Sequence, residues 1–269
     1  MCDNFFMHEI FEKSKLLQAL ADTNFAGDLY WLDCVDSTNV FASNLINEGA
    51  QTPFVVVART QNAGKGRLSR KWYAEADATL CMSVAVDMPD DSQLIRSFTV
   101  RVANAVCSAL EKALQTRLFI KWPNDIYSPE GKKIAGMLTE LRISKTNKKS
   151  VILGIGINCF NPKNAVDESI LGTMDSLENH TEKDFSMSEV CALVASAIVS
   201  ASKEESINGV AKKFAHFDWL YGKQIQLDSG NELLSGIASG IDDTGELLLK
   251  LETGEVRQIA GLEATILKR

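Results

Sequence analysis

The sequence predicts an α/β domain followed by a small all-β barrel, and three observations carry that prediction. Short apolar runs such as FVVVART (54–60), TLCMSVAVDM (79–88) and SVILGIGINCF (150–160) alternate with segments of helical periodicity. Residues 91–114 place Leu94, Phe98, Val102, Val106 and Leu110 on one stripe of an amphipathic helix. Beyond Phe217 the period drops to that of strands. QIQLDS, ELLSGIASGID, GELLLKLE, EVRQIA and ATILKR are separated by turns at Ser229-Gly230-Asn231, Asp243-Thr244-Gly245 and Thr253-Gly254.

The remaining elements follow in chain order. FFMHEIFEKSKLLQALA (5–21) has the spacing of a short helix, and LYWLDCV (29–35) that of a strand. Asp36 and Ser37 start a helix, TNVFASNLINE, that runs to Gly49. Pro53 opens the strand 54–60, and a cationic, glycine-containing loop follows it. LFIKWPNDIYS and KKIAGMLTELRIS read as two strands around the turn Pro129-Glu130-Gly131. Residues 186–217 read as helical, with Val190, Leu193, Val194, Ala197 and Ile198 on one side. The expected organisation is an N-terminal helical extension (1–28), a main domain (29–218) and the barrel (219–269).

Composition bounds the function. The chain has 269 residues, 45% hydrophobic and 23% charged, which suits a globular protein with a sizeable core. A net charge of −7 argues against nucleic acid as a general partner, so any basic patch must be local. Six cysteines form no C-x-x-C pair and have no nearby histidine, which reads as free thiols in a reducing cytoplasm. The N-terminus lacks the basic-then-apolar pattern of a signal peptide, and no apolar run is long enough to span a bilayer.

Four segments carry candidate chemistry. In TQNAGKGRLSRKW (60–72), Gly64 and Gly66 allow close backbone approach. Arg67 and Arg70 can grip a phosphate or carboxylate in a fork, and Trp72 offers a stacking face. A solvated surface turn is the competing reading, and G-K-G-R is not a Walker A loop. In KWPND…KKIAGMLTE (121–140), a hairpin turn at Pro129-Glu130 brings Lys133 toward Asp125, as a functional pair or as a plain salt bridge. In GIGIN (154–158) the glycines mark either close packing or a ligand, and Asn158 either caps a turn or reads an adenine edge. DSTN (36–39) is a helix start, and its exposed N–H groups could also bind polar ligand groups.

Taken in this order and followed by a small β-barrel, these segments resemble the biotin–protein ligase family, also called biotin–[acetyl-CoA-carboxylase] ligase. The resemblance spans about residues 29–269, and KWPND followed by K-x-A-G is its most specific part. It implies a central mixed sheet with flanking helices, like that of class II aminoacyl-tRNA synthetases, plus an SH3-like C-terminal barrel. It implies biotin-binding roles for Ser37, Thr38, Asn39, Gln61, Gly64, Lys65, Arg67 and Lys133. Arg67, Arg70, Trp72, Asn124, Lys133 and Asn158 would bind nucleotide, and Lys133, Arg67 and Asp125 would serve catalysis. The usual loop is closer to G-R-G-R-x-G-R-x-W, so Lys65 replaces an arginine and Ser69 a glycine.

The implied substrates are biotin and ATP with Mg²⁺, the metal held mainly by phosphates. The implied partner is the biotin carboxyl carrier protein of acetyl-CoA carboxylase, acted on by a cytoplasmic monomer or homodimer. Only about 28 residues precede the first strand, so a DNA-binding winged helix and a specific operator are not expected. The alternatives are a lipoate-type ligase of the same fold and a non-catalytic biotin- or nucleotide-binding module.

Overall fold

The computed structural model describes residues 10–23, 25–143, 148–164, 167–230, 232–261 and 264–268. In chain order, α1 is Lys13–Asp22, β1 Asp28–Val35, α2 Thr38–Glu48, β2 Phe54–Gln61, β3 Thr79–Asp87 and α3 Ser92–Leu114. Four strands follow: β4 Phe119–Lys121, β5 Asp125–Tyr127, β6 Lys133–Ile143 and β7 Lys149–Asn158. The helices α4 Glu168–Leu171, α5 Met187–Ser202 and α6 Val210–Ala215 come next. The chain closes with β8 Gln224–Asp228, β9 Leu233–Ile241, β10 Leu247–Leu251, β11 Val256–Ile259 and β12 Thr265–Lys268.

The first seven strands form one mixed sheet in the order β1-β2-β3-β7-β6-β5-β4. Only the β1–β2 pair is parallel among the described strands of this sheet. The central strands β2, β3 and β7 are buried on both faces, which is why they read as unbroken apolar runs rather than as alternation. One face packs Val55, Val57, Leu80, Met82 and Val84 against α3 and α5. The other packs Phe54, Val56, Ala85 and Ile152 against Ala42 and Ile46 of α2. Each such fully buried side chain contributes about 1.5–3 kcal/mol. The stripe Leu94, Phe98, Val102, Val106 and Leu110 is buried as expected.

Three expectations need correction. Among the described residues the first helix starts at Lys13, with Glu12 before it extended, and residues 5–9 of the expected helix lie outside the described residues. LFIKWPNDIYS is two strands, not one. It doubles back at Trp122-Pro123-Asn124 so that Phe119 pairs with Tyr127 and Lys121 with Asp125. Pro123 offers no N–H to a ladder, and Trp122 is buried with its indole N–H donating to Gly245 O at 2.9 Å. The helix expected over 186–217 breaks after Ser202 and resumes at Val210 behind Gly209, whose φ of 83° is the left-handed region. The buried Arg101 braces the break by donating to the carbonyls of Ala201 and Glu204 at the end of α5.

Strands β8–β12 form an antiparallel sheet in the order β11-β10-β9-β8-β12, an SH3-like unit of short strands. Its loops reach back to the first sheet through Gly245 at Trp122 and through Gly261 and Ala264 at Arg67.

Candidate active site

A cavity of about 180 Å³ lies over the glycines of β6 and β7. Its walls are the N-terminus of α2, the loop after β2, the turn between β4 and β5, and Ala264–Ile266 of the second sheet. The glycines form the floor because side chains from the walls rest on them. A Cβ on Gly154 would lie 2.0 Å from Asn39 Oδ1, and one on Gly156 would lie 2.3 Å from Trp72 Cε2. So the G-x-G of GIGIN serves close packing, one of its two open readings.

One end of the cavity is polar and uncharged. Ser37 stands at the N-cap of α2 but makes no side-chain cap bond. Gln61 takes over that role: the Thr38 N–H donates to Gln61 Oε1 at 2.8 Å, and the Thr38 hydroxyl lies 3.2 Å from the same oxygen. Asn39 Nδ2 donates to Glu140 Oε2 at 2.8 Å and to Leu138 O at 3.3 Å. The Ser83 hydroxyl lies 2.7 Å from Thr38 Oγ1 and 2.6 Å from Asn39 Oδ1. Ser83 and Glu140 were missed by sequence reasoning. The one available signal was a lone hydroxyl inside the apolar run TLCMSVAV.

The other end is cationic. The loop after β2 folds back as a hairpin: Gly66 N–H donates to Arg70 O at 2.7 Å and Trp72 N–H to Gly64 O at 2.9 Å. Leu68 at its tip has φ 52° and an exposed side chain. Gly64 is required by its neighbours, since a Cβ there would sit 2.9 Å from Trp72 O. Lys65 and Arg70 are exposed at the mouth. Arg67 turns inward and donates to Asn124 Oδ1 at 3.1 Å, to Ala264 O at 3.1 Å and to Gly261 O. Burial pushes its guanidinium below the usual value; Asp125 opposes that shift and Arg70 adds to it. It stays charged regardless.

Lys133 and Asp125 meet as the hairpin reading expected, Nζ to Oδ1 at 2.8 Å. The Lys133 ammonium lies 5.3 Å from the Trp72 ring centroid, so the indole face and the cation share one corner. Trp72 Nε1 is buried with no hydrogen-bond partner among the described residues. Asn124 is braced by donation to Met137 O at 2.8 Å. Asn158 is not at the cavity wall. It is buried behind β6, donating to Lys133 O at 3.3 Å and Asp175 O at 3.1 Å. Asp125 is the only carboxylate lining the cavity among the described residues, and it is paired with Lys133. The described cysteines are free, and burial pushes the Cys81 thiol up to about 12, so none of this chemistry falls to a thiolate there.

The biotin/lipoate A/B protein ligase family matches residues 31–158, and the biotin protein ligase C-terminal domain matches residues 221–261. The chain is 31% identical over 228 residues to the biotin–[acetyl-CoA-carboxylase] ligase of Paracoccus denitrificans, covering 81% of this chain and 92% of that protein. It is 30% identical over 229 residues to the bifunctional ligase/repressor BirA of Bacillus subtilis, covering 84% and 70%. A solved structure of the Aquifex aeolicus biotin protein ligase in complex with biotin and ATP is 28% identical. It covers 90% of this chain and 99% of that one, with a TM-score of 0.75. The mixed sheet is thus that of the biotin and lipoate ligase class. The C-terminal match and the relatives narrow the assignment: the chain belongs to the biotin–protein ligase family.

Proposed function

We propose that this cavity is where biotin is adenylated and then handed to a carrier lysine. The chain is an ATP-dependent biotin–protein ligase, with biotin and ATP as substrates. One observation supports placing the chemistry here: a neutral hydrogen-bonding end and a cationic end share one cavity. Thr38, Asn39 and Gln61 offer amides and hydroxyls suited to an uncharged ureido ring, with Ser37, Gly64 and Lys65 beside them. Lys133, Arg67 and Arg70 offer charge to a carboxylate and a phosphate.

In the first step a biotin carboxylate oxygen attacks the α-phosphorus of ATP, and pyrophosphate leaves. Lys133 neutralises the two anionic groups as they approach, and Asp125 holds its ammonium in place. Mg²⁺ would arrive with ATP and neutralise phosphate charge; a lining with one carboxylate, already paired, fits a metal held mainly by phosphates. Trp72 gives the adenine a flat apolar face, Asn124 and Arg67 border the nucleotide, and Asn158 acts through the Lys133 backbone. In the second step a carrier lysine amine attacks the anhydride carbonyl, AMP leaves, and the amine's proton passes to Asp125 or solvent. At about 180 Å³ the cavity is below the roughly 300–1,000 Å³ usual for small-molecule sites, so the 62–72 loop lifts to admit both substrates.

The biotin carboxyl carrier protein of acetyl-CoA carboxylase is the partner in this reading, which follows the name of the Paracoccus relative. The free thiols fit a cytoplasmic setting, and a net charge of −7 argues against nucleic acid as a general partner. Residues 29–218 would form the catalytic unit, 219–269 the appended barrel and 1–28 an extension. Incubation with ATP, Mg²⁺, radiolabelled biotin and a carrier domain tests it. Label on the carrier, lost in Lys133→Ala, supports the reading. Label from lipoate instead, or none, overturns it.

A further inference from the structure

At the uncharged end of the cavity the protons can be counted, and the count fixes which way each side chain points. Asn39 is held first. Its Nδ2 donates to Glu140 Oε2 at 2.8 Å and to Leu138 O at 3.3 Å. A backbone carbonyl can only accept, and the Glu140 carboxylate, held on its other oxygen by Arg142 at 2.9 Å, accepts as well. The amide therefore cannot turn over, and Asn39 Oδ1 faces Ser83 as an acceptor. Gln61 is held by the same logic. The Thr38 N–H can only donate, so the atom 2.8 Å from it is Gln61 Oε1.

Ser83 has one proton and two close neighbours, Asn39 Oδ1 at 2.6 Å and Thr38 Oγ1 at 2.7 Å. The amide oxygen has no proton to offer, so the Ser83 proton points there. The contact to Thr38 has the length of a hydroxyl–hydroxyl bond and needs a proton too, which only Thr38 can supply. Thr38 thus directs its proton to Ser83 rather than to Gln61 Oε1, which is farther away at 3.2 Å. The donors run one way: Thr38 to Ser83, Ser83 to Asn39, Asn39 to Glu140. At the start of this chain Thr38 Oγ1 and Gln61 Oε1 stand side by side as acceptors, and no described side chain puts a proton between them. Thr38 and Gln61 line the cavity, whereas Ser83 is fully buried in β3 behind it. Two adjacent acceptors that share no donor favour a ligand that brings an N–H.

We propose that Ser83 is a positioning residue that makes the neutral end of the cavity an acceptor of ligand N–H groups, by holding the Thr38 proton away from the ligand. This rests on the reading above that the ureido ring of biotin lies at that end. A cyclic urea offers ring N–H groups there, and the dithiolane of lipoate offers none. Selectivity between the two rings is then set from a central strand, by a hydroxyl the ligand never touches.

The test compares calorimetric binding of biotin and of two carbamate analogues, each with one ring N–H replaced by oxygen, on the full chain. In the parent at least one carbamate should bind about ten- to a hundredfold more weakly than biotin, because it turns a lone pair toward two acceptors. Ser83→Ala removes one buried hydroxyl, adds no bulk, and releases the Thr38 proton to turn toward Gln61 or the ligand oxygen. It should weaken biotin a few-fold and reduce that preference to about threefold or less. The maximal rate of first-turnover pyrophosphate release at saturating biotin should stay within about twofold, the sign of an interaction used in binding alone. A general loosening of the site would weaken all three ligands alike and leave the preference at the parent value, which overturns the proposal. A parent that binds both carbamates as tightly as biotin overturns it as well. Thr38→Val separates the proposal from the reading beneath it. This variant should weaken biotin, and adding Ser83→Ala to it should change the preference no further; a further change means that Ser83 acts by another route, and the proposal falls. If Thr38→Val binds biotin as the parent does, the ureido ring is not at this end, and the reading falls with the proposal. If Thr38→Val is weakened while Ser83→Ala keeps the parent's preference, the proposal alone fails.

Discussion

Replacing Gly156 by alanine puts a methyl group where Trp72 already rests. The new Cβ would lie 2.3 Å from Trp72 Cε2, 2.4 Å from Nε1 and 2.5 Å from Cζ2. Carbon contacts are comfortable only at about 3.5–4 Å, so the indole must recede by roughly 1 Å or more. The strand cannot give instead, because Gly156 is paired on both sides, with Cys81 of β3 and Gly136 of β6. The displacement therefore falls on the 62–72 loop, and with it on Arg67 and Arg70. Overpacking of this kind costs about 1–3 kcal/mol, and a shift of about 1 Å in positioning groups costs up to about a hundredfold in rate. We expect Gly156→Ala to slow first-turnover pyrophosphate release by about ten- to hundredfold and to weaken ATP more than biotin, whose polar contacts we propose to lie at the Thr38 end. The melting temperature should fall by no more than about 10 °C, since 1 kcal/mol moves a chain of this size by about 2–4 °C. Rapid-quench release assays and calorimetric binding give both numbers. Parent-like release with parent-like ATP affinity would show that Trp72 has no fixed seat on the glycine floor, and the reasoning would be wrong.

Lys133→Ala should leave the fold intact and slow adenylate formation by about a hundredfold or more, read by pyrophosphate release. Arg67→Gly removes the bonds to Asn124, Gly261 and Ala264, so biotinyl-5′-AMP should escape faster by about one to two orders of magnitude. A blot for biotin on bystander proteins reads that leakage. Trp122→Phe strands the Gly245 carbonyl and should cost about 1–3 kcal/mol in urea unfolding while sparing biotin affinity. Asp175 has its folded pKa depressed, so its stabilisation is present above the unfolded carboxylate value of about 4 and is lost as pH falls through the lower folded one. Asp175→Asn should therefore unfold with a shallower acid dependence below about pH 4, and parent-like urea midpoints from pH 2 to 7 would contradict this.

What could be read from the sequence was what local chemistry specifies. β3 and β7 announced themselves because both faces are buried, and the short strands of the second sheet because each ends in its own turn residues. The Lys133–Asp125 pair followed from hairpin register alone. What stayed hidden depends on distant partners. LFIKWPNDIYS has strand composition throughout, and its reversal is fixed by a carbonyl 123 residues on, at Gly245. The inward turn of Arg67 depends on carbonyls 194 and 197 residues ahead. Asn158 was read as a turn cap or an adenine contact, and nothing local in the sequence announces the two backbone carbonyls to which its Nδ2 donates.

The tie between Arg67 and the last loop of the second sheet has a practical consequence. Residues Ala264, Thr265 and Ile266 wall the same cavity as Thr38 and Lys133, so a cut between residues 218 and 219 leaves neither piece with a whole site. Two polypeptides carrying these pieces would each lack something the other holds: one an arginine without its carbonyls, the other carbonyls without their arginine. A division at this point therefore suits conditional reassembly, with activity reporting that two attached proteins have come together.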